Sequence, residues 1–550
     1  MLADHQGDVM DDKVAPVGDS MVANARAATE KEHNMTLWQG IKLYPKAIAW
    51  SMLISMCCAM EGYDISLIGN FYAFPVFNQK YGTWTGEENG YQVSAHWQTS
   101  LSNGAQCGQI LGLFLNGFAT ERWGYKPVIL GCLVWLTGIT AIFFTAPNIQ
   151  ILLVAEILAG IPWGVFQSIA ISYASEVVPV ALRGYVTTWG NSCWGIGQLI
   201  GVGVIRSMLG RTDEWAFRIP YGLQWMWYPP LIIGIYFAPE SPWWLVRHGK
   251  FDKARASLLR LTSAKADPTF DVDETLDMMK HTTELEKDIT TGSSYLDCFR
   301  GVNRRRTELV CMIWASQNLS GNTFSNYSTY FFTQAGLPAE TSYDFAMGQY
   351  GINTVGTFVA WFIMSRGVGR RTLFITGLVG LCIMLYTIGF LGLIPDSKSY
   401  ERSMATGATM LGWAAVYQVS VGSIAFSLVA EMSTRRLQIK TVSLGRAAYN
   451  VAAIISNVLT PNMINPTAWN WKNYAGFFWG STCLFCVVYH YFRLPEPSGR
   501  TFAELDILFE RKTPARKFKT AKVDAFDTAI HGQVAEDKPN VEHVERADSV

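Results

Sequence analysis

Residues 45–77 read PKAIAWSMLISMCCAMEGYDISLIGNFYAFPVF. After Lys46, the only charges in this stretch are Glu61 and Asp64. They stand in Glu61-Gly62-Tyr63-Asp64, with Ala47–Met60 before them and Ile65–Phe77 after. Such a run exceeds the roughly 20 apolar residues that carry a helix across a bilayer. An ionised acid at the centre of that helix costs about 2.5–3.5 kcal/mol even on lenient insertion scales. Two acids in one turn would make a poor inert anchor. At a spacing of three they share a helix face, so each disfavours the other's ionisation. That is the electrostatics of a proton site; the plainer alternative is a pair of acids that fixes helix packing.

The rest of the chain extends this character. Hydrophobic residues make up 49% of the 550 and charged residues 16%, whereas soluble chains carry about a quarter charged. Polar residues gather in 1–45, 239–308 and 494–550. Between them, apolar segments recur at 45–77, 97–119, 127–146, 149–173, 184–206 and 221–238, then at 309–335, 343–365, 372–393, 404–430, 440–464 and 473–493. Six segments, a hydrophilic insert and six more predict an all-α membrane protein. Twelve transmembrane helices in two pseudo-symmetric six-helix bundles are expected, a division that resembles the major-facilitator plan, which implies a substrate site near midplane between the halves. The expected divisions are a disordered tail at 1–45, an N-terminal bundle at 46–238, a loop with short amphipathic helices at 239–308, a C-terminal bundle at 309–493 and a tail at 494–550. The weakly hydrophobic segment 97–119 is expected to face the bundle interior.

Lysine and arginine indicate orientation. Arg122, Lys126, Arg183, Arg366, Arg370 and Arg371 fall in loops of one side, and Arg300, Arg304, Arg305 and Arg306 crowd the start of the seventh segment. This side reads as cytoplasmic, with both termini on it. Within the insert, 251–262 and 271–288 have helical spacing and mixed charge. The tails lack apolar periodicity and read as largely disordered. Residues 1–35 lack the apolar core of a signal peptide, so the first membrane helix is expected to direct targeting. Net charge is zero without a long basic run, so no nucleic-acid partner is indicated. Nine of the ten cysteines fall in apolar stretches as small fillers, and no paired spacing suggests a metal site. No nucleophile–base pair points to an enzyme, and no cofactor is expected.

Four motifs in register then resemble one family, the sugar porters of the major facilitator superfamily. Pro239-Glu240-Ser241-Pro242-Trp243-Trp244-Leu245 follows the sixth segment, and Pro495-Glu496-Pro497-Ser498-Gly499-Arg500-Thr501 follows the twelfth. Glu176 and Arg183 match an E-x6-R motif, and Gln317-Asn318-Leu319-Ser320-Gly321-Asn322 stands where the family has QQLSGIN. The resemblance covers about residues 45–510. Glu61-Gly62-Tyr63-Asp64, Ile161-Pro162-Trp163-Gly164, the doubled tryptophan and Asn465-Pro466-Thr467-Ala468-Trp469-Asn470-Trp471 look like the fungal α-glucoside (maltose-type) proton symporters. That implies proton-coupled uptake of maltose or a related disaccharide, with the sugar and the lipid bilayer as partners, the proton as coupling ion and the plasma membrane as location. Proton symport of a β-linked disaccharide or a hexose is the alternative, as is a sugar sensor without flux.

The resemblance also implies residues. Sugar recognition falls to Asn191 in the fifth segment, Gln317, Asn318 and Thr323 in the seventh, Phe426 in the tenth, and Tyr449 or Asn450 in the eleventh. Hydroxyls pair with such neutral groups, and a pyranose packs on a ring. Each could instead bond a neighbouring helix. Proton coupling falls to Asp64 as main carrier, with Glu61 and Glu156 tuning it. By alignment of Ile161-Pro162-Trp163-Gly164, Glu156 takes the place where the family's proton-coupled members have an arginine, so a third acid replaces the expected counter-charge. Three acids at membrane depth cannot all stay ionised. Arg446, a cation inside the eleventh segment, is expected to pair with the sugar or the acids. A cytoplasmic gate is expected from Glu176, Arg183, Glu240 and Glu431 with Arg435 or Arg436, whose ion pairs would close the inner mouth. The loops Glu121-Arg122-Trp123-Gly124-Tyr125-Lys126 and Ser365-Arg366-Gly367-Val368-Gly369-Arg370-Arg371 depart from the family's D-R-x-G-R pattern, so the usual symmetric gate is incomplete.

Overall fold

A computed structural model describes Lys31 and residues 35–521, except 88–89, 264–269, 291–294, 367, 396–397, 434–436, 498–501 and 519. Six long helical runs form the first half: α1 (Pro45–Phe71), α2 (Ala95–Trp123), α3 (Tyr125–Thr145), α4 (Ile149–Val177), α5 (Val180–Met208) and α6. The last is broken into Trp215–Gly222, a 3-10 turn at Leu223–Met226 and Tyr228–Phe237. Pro229 and Pro230 open its final piece, where their missing N–H groups cost least.

The second half repeats the plan. Its α7 runs Gly301–Leu319 and continues as Asn322–Asn326 and Ser328–Gln334. It is followed by α8 (Ala339–Ser365), α9 (Arg370–Leu391), α10 (Ser399–Tyr417 and Ser423–Met432), α11 (Gln438–Ile464) and α12 (Ala475–Arg493). Gly321 breaks α7 at φ +95°, a backbone conformation that side chains with a Cβ rarely adopt. A π-helical turn, Gln418–Gly422, interrupts α10. By length and composition, α1, α3, α4, α9, α10 and α11 are apolar enough to cross a membrane. The other runs are broken or more polar. On α2, Gln98 and Gln109 turn inward as expected, while Leu111, Phe114, Leu115 and Phe118 are exposed on the opposite face. That helix is therefore two-sided rather than wholly interior.

Glycines set the closeness of the inner helices. A Cβ on Gly112 of α2 would run into the Ile161 carbonyl of α4, and one on Gly164 of α4 into the Gln109 carbonyl of α2. Small residues that let backbones touch are how helices pack without a hydrophobic driving force.

The segment joining α6 to α7 lies at one end of the molecule, the linker end. It carries short helices at Pro242–Arg247, Phe251–Leu261 and Val272–Thr290, near the expected places. The expectation of a disordered C-terminal tail is corrected in its described part. Phe502–Glu510 is a helix whose Leu505, Leu508 and Phe509 are buried, and the Arg306 guanidinium lies 4.3 Å from the Phe509 ring centre. Burial of that apolar face and a cation over a ring outweigh the cost of ordering the chain. An antiparallel ribbon of two residues per strand, Thr83–Trp84 with Tyr91–Gln92, was not anticipated.

At the opposite end the halves meet. Tyr72 and Tyr327 stack at 5.8 Å, Tyr343 Oη donates to the Asn70 carbonyl at 2.7 Å, and Thr329 bonds the Asn70 side chain. Arg206 of α5 reaches Asp344 at 2.9 Å and Glu340 at 3.6 Å, both on α8. At the linker end the described ion pairs of the bundles do not join the halves: Arg247 of the linker pairs with Glu176 of α4 at 2.5 Å, Arg370 with Glu431, and Arg493 with Glu308 at 2.7 Å.

Candidate functional site

A cavity opens between the halves, with about 880 Å³ of space free of atoms, part of it open to solvent. Its wall draws on α1, α2, α4 and α5 from one half and α7, α8 and α11 from the other. Carboxamides dominate: Gln106, Gln109, Gln167 and Gln198 on the first side, Asn318, Asn322, Asn326 and Asn457 on the second. The rings of Trp194, Tyr327, Tyr350 and Tyr449 stand among them, with one acid, Glu156, and one cation, Arg446. A carboxamide both donates and accepts, so this wall suits a neutral ligand rich in hydroxyls, with rings for its apolar faces.

The three acids are all buried, and Asp64 lies within electrostatic reach of the other two, but they take different hydrogen-bond partners. Glu61 Oε1 accepts from Gln167 Nε2 at 2.5 Å and from Gln109 Nε2 at 3.3 Å. Gln167 Oε1 accepts in turn from the Arg446 guanidinium, which lies 4.5 Å from the Tyr449 ring centre and 5.1 Å from that of Trp314. A chain of hydrogen bonds thus runs from α1 through α4 to α11, across the two halves. Asp64 belongs to a different contact. Its Oδ1 accepts from Gln224 Nε2, which the 3-10 turn of α6 presents. Glu156 lies in the cavity wall, near enough to Asp64 for the two charges to act on each other. Glu61 Oε2, Asp64 Oδ2 and Glu156 Oε1 are buried without a hydrogen-bond partner among the described residues.

Of the other expected site residues, Asn318, Thr323 and Tyr449 line the cavity. Gln317 does not; its Nε2 donates to the Val421 and Gly422 carbonyls at 3.4 and 3.3 Å. Phe426 packs edge-on against Trp314, with ring centres 4.8 Å apart. Asn450 accepts from Gln106 at 2.9 Å and so ties α11 to α2. Asn191, on α5, is not in the cavity wall.

The expected gate residues have other partners. Glu176 takes Arg247, Tyr125 Oη at 3.0 Å and the Ser241 hydroxyl. Glu240 accepts from the backbone N–H groups of Tyr125 and Lys126, each at 3.1 Å, and so caps α3. Glu496 caps α9 in the same way through Arg370 and Arg371, at 3.0 and 3.1 Å. The two motif glutamates are thus equivalent between the halves, each satisfying orphan donors at a helix start. Burial pushes the Glu240 carboxyl above its usual range, and the N–H groups of Ser241, Lys126 and Tyr125 oppose that. The side chain of Arg183, and both Arg435 and Arg436, lie outside the described residues.

Sequence reasoning missed Gln106, Gln109, Gln167, Gln198, Asn322, Asn326 and Asn457 in the wall, and Gln224 behind it. The available signal was their number. Amides inside apolar helices are costly facing lipid, so repeated ones mark an interior or watered face.

The family described as "Sugar (and other) transporter" matches residues 50–509. Maltose permease MAL31 of Saccharomyces cerevisiae is 39% identical over 522 residues, which cover 94% of this chain and 84% of that one. A general alpha-glucoside permease of the same species is 40% identical over 508 residues, covering 92% and 82%. Among solved structures, the proton:xylose symporter XylE bound to 6-bromo-6-deoxy-D-glucose aligns with a TM-score of 0.67 at 19% identity, covering 85% of this chain and 99% of that one. The inward open conformation of the xylose transporter XylE from E. coli aligns at 0.66 and 18% identity, covering 84% and 99%. With twelve helical runs in two halves around a polar cavity among the described residues, and relatives that are permeases along nearly its whole length, the chain has the major facilitator fold, belongs to the sugar transporter family and is not an enzyme.

Proposed function

We propose that this transporter carries an α-glucoside disaccharide such as maltose into the cell together with a proton, by alternating access. The plasma membrane would hold it, with the linker end and both termini in the cytoplasm. The α-glucoside reading rests on the similarity to the maltose and alpha-glucoside permeases and on a cavity of carboxamides and rings. No cofactor is needed in this scheme beyond the proton itself.

The observation that carries proton coupling is the acid arrangement at the cavity. Glu156 faces the space a sugar would fill, Asp64 stands behind it, and each keeps one oxygen without a partner. A buried charged oxygen without a partner is costly, and a bound proton removes that cost. In this scheme Asp64 carries the proton and Glu156 links it to the cavity. The Glu61–Gln167–Arg446 chain ties the protonation of the first half to the position of the second. Sugar bound between the halves favours the closed intermediate, since it contacts both walls only there.

The test uses the full chain in proteoliposomes with an imposed pH gradient. Asp64→Asn and Glu156→Gln are expected to retain maltose exchange down its gradient and to lose accumulation, so that internal sugar stops at the equilibrium level. Accumulation by both variants with wild-type pH dependence would rule the assignment out.

A further inference from the structure

Three asparagines of the cavity wall are spaced by four along α7: Asn318, Asn322 and Asn326. They lie on either side of the Gly321 break, within the two helical pieces Gly301–Leu319 and Asn322–Asn326. Residues four apart follow one helix face, which holds for Asn322 and Asn326; Asn318 joins them as part of the same cavity wall. Only Asn322 and Asn326 share one helical piece, where four residues rise about 6 Å; Asn318 stands on the other side of the break. The three are not in equivalent states. Asn318 is buried and its Nδ2 donates to the Tyr449 carbonyl at 3.1 Å. Asn322 and Asn326 are only partly buried, and neither side chain has a hydrogen bond among the described residues. Their carboxamides face the cavity unspent.

The ends of this row also differ. Asn318 lies toward Arg446 and Tyr449, the charged part of the wall. Asn326 lies beside Tyr327, whose ring stacks on Tyr72 in the closed end and whose Oη bonds Ser102 of α2. Its carbonyl oxygen is also close to Gly69 of α1, which has no Cβ to keep the helices apart. A ligand that reached only the charged part would leave Asn326 unused.

We infer that Asn318, Asn322 and Asn326 form a row of hydrogen-bonding positions that reads two linked pyranose rings, with Asn326 assigned to the ring under the closed end. It rests on the sugar-transport reading above and adds to it which residues set substrate length. A monosaccharide glycoside occupies the Asn318 end and does not require Asn326. A disaccharide uses both ends, Asn322 serves both sugars from the middle, and the free carboxamide of Asn326 discriminates in favour of the disaccharide.

The experiment measures uptake by the full-length protein in a transport-null yeast, using maltose and methyl α-glucoside as separate labelled substrates. Asn326→Leu is expected to raise the KM for maltose about tenfold, as the loss of one or two neutral hydrogen bonds would. The KM for methyl α-glucoside should stay within about twofold, which also shows that the variant folds and reaches the membrane. Asn322→Leu should weaken both sugars, because its position is shared. The inference is overturned if Asn326→Leu shifts both sugars equally, or neither, while wild-type maltose uptake is normal. It is also overturned, together with the sugar-transport reading, if the wild type takes up neither sugar. Should Asn326→Leu fail to accumulate, Asn326→Ser, which keeps a short polar group, must show the same selective loss of maltose affinity in smaller measure.

Discussion

Gln317 shows how one side chain can leave the role its motif suggests. It occupies the first position of Gln317-Asn318-Leu319-Ser320-Gly321, where resemblance assigns sugar contact. In the structure it is buried and its amide bonds the Val421 and Gly422 carbonyls of the π-helical turn in α10. A π turn shifts the hydrogen-bond ladder by one residue and leaves carbonyls for others to satisfy. Gln317→Leu therefore strands two buried acceptors at a cost of about 1–3 kcal/mol. The expected outcome is a lower thermal midpoint in detergent, with the KM for sugar little changed. A large rise in KM at unchanged stability would return Gln317 to the sugar site. The sequence made Glu61, Asp64, Glu156 and Arg446 legible because charge inside an apolar run is conspicuous. Neutral amides such as Gln167, Gln198 and Asn326 carry no such contrast. Their roles depend on which helix faces them, and that is a property of packing.

Among the helices, the apolar segments were legible as runs, since hydropathy over some twenty residues survives errors at the ends. Their interruptions were less so. The Gly321 break and the Pro229-Pro230 pair have local signatures, but the π turn of α10 has none in its own residues. It persists because Gln317 on α7 and Thr357 on α8, which accepts from Gln418 at 2.9 Å, engage it from outside. Close helix contacts carry a sharper prediction. Gly112 meets the Ile161 carbonyl of α4, whereas Gly117, five residues on, has open space where a Cβ would go. Gly112→Ala must push α2 and α4 apart, a form of overpacking that costs about 1–3 kcal/mol or more. Gly117→Ala adds a methyl to an exposed face and favours helix. Size-exclusion chromatography of a fluorescent fusion should show little folded Gly112→Ala protein and wild-type amounts of Gly117→Ala. Equal yields would mean that the α2–α4 contact is looser than its geometry.

For the molecule as a whole, the distribution of contacts between the halves defines the state. The end away from the linker is closed by Tyr72 on Tyr327, by Asn70 with Thr329 and Tyr343, and by Arg206 with Asp344 and Glu340. Among the described ion pairs, the Arg206 cluster joins the two halves, while those at the linker end stay within one half or tie the linker to one half. If the linker end faces the cytoplasm, as proposed above, this arrangement is inward-facing and Arg206 is an external latch. The latch is exposed, so each contact is weak and screened by salt. Its effect is on a balance between two states, where a small bias suffices. Arg206→Gln is therefore expected to move part of the population outward-open. Spin labels at Thr212 and Lys398, exposed near that end of each half, should report a longer distance component in the variant. Raising the salt concentration should produce the same component in the wild type and little further change in Arg206→Gln. Unchanged distances in both experiments would show that the tyrosine and asparagine contacts hold this end closed without the latch.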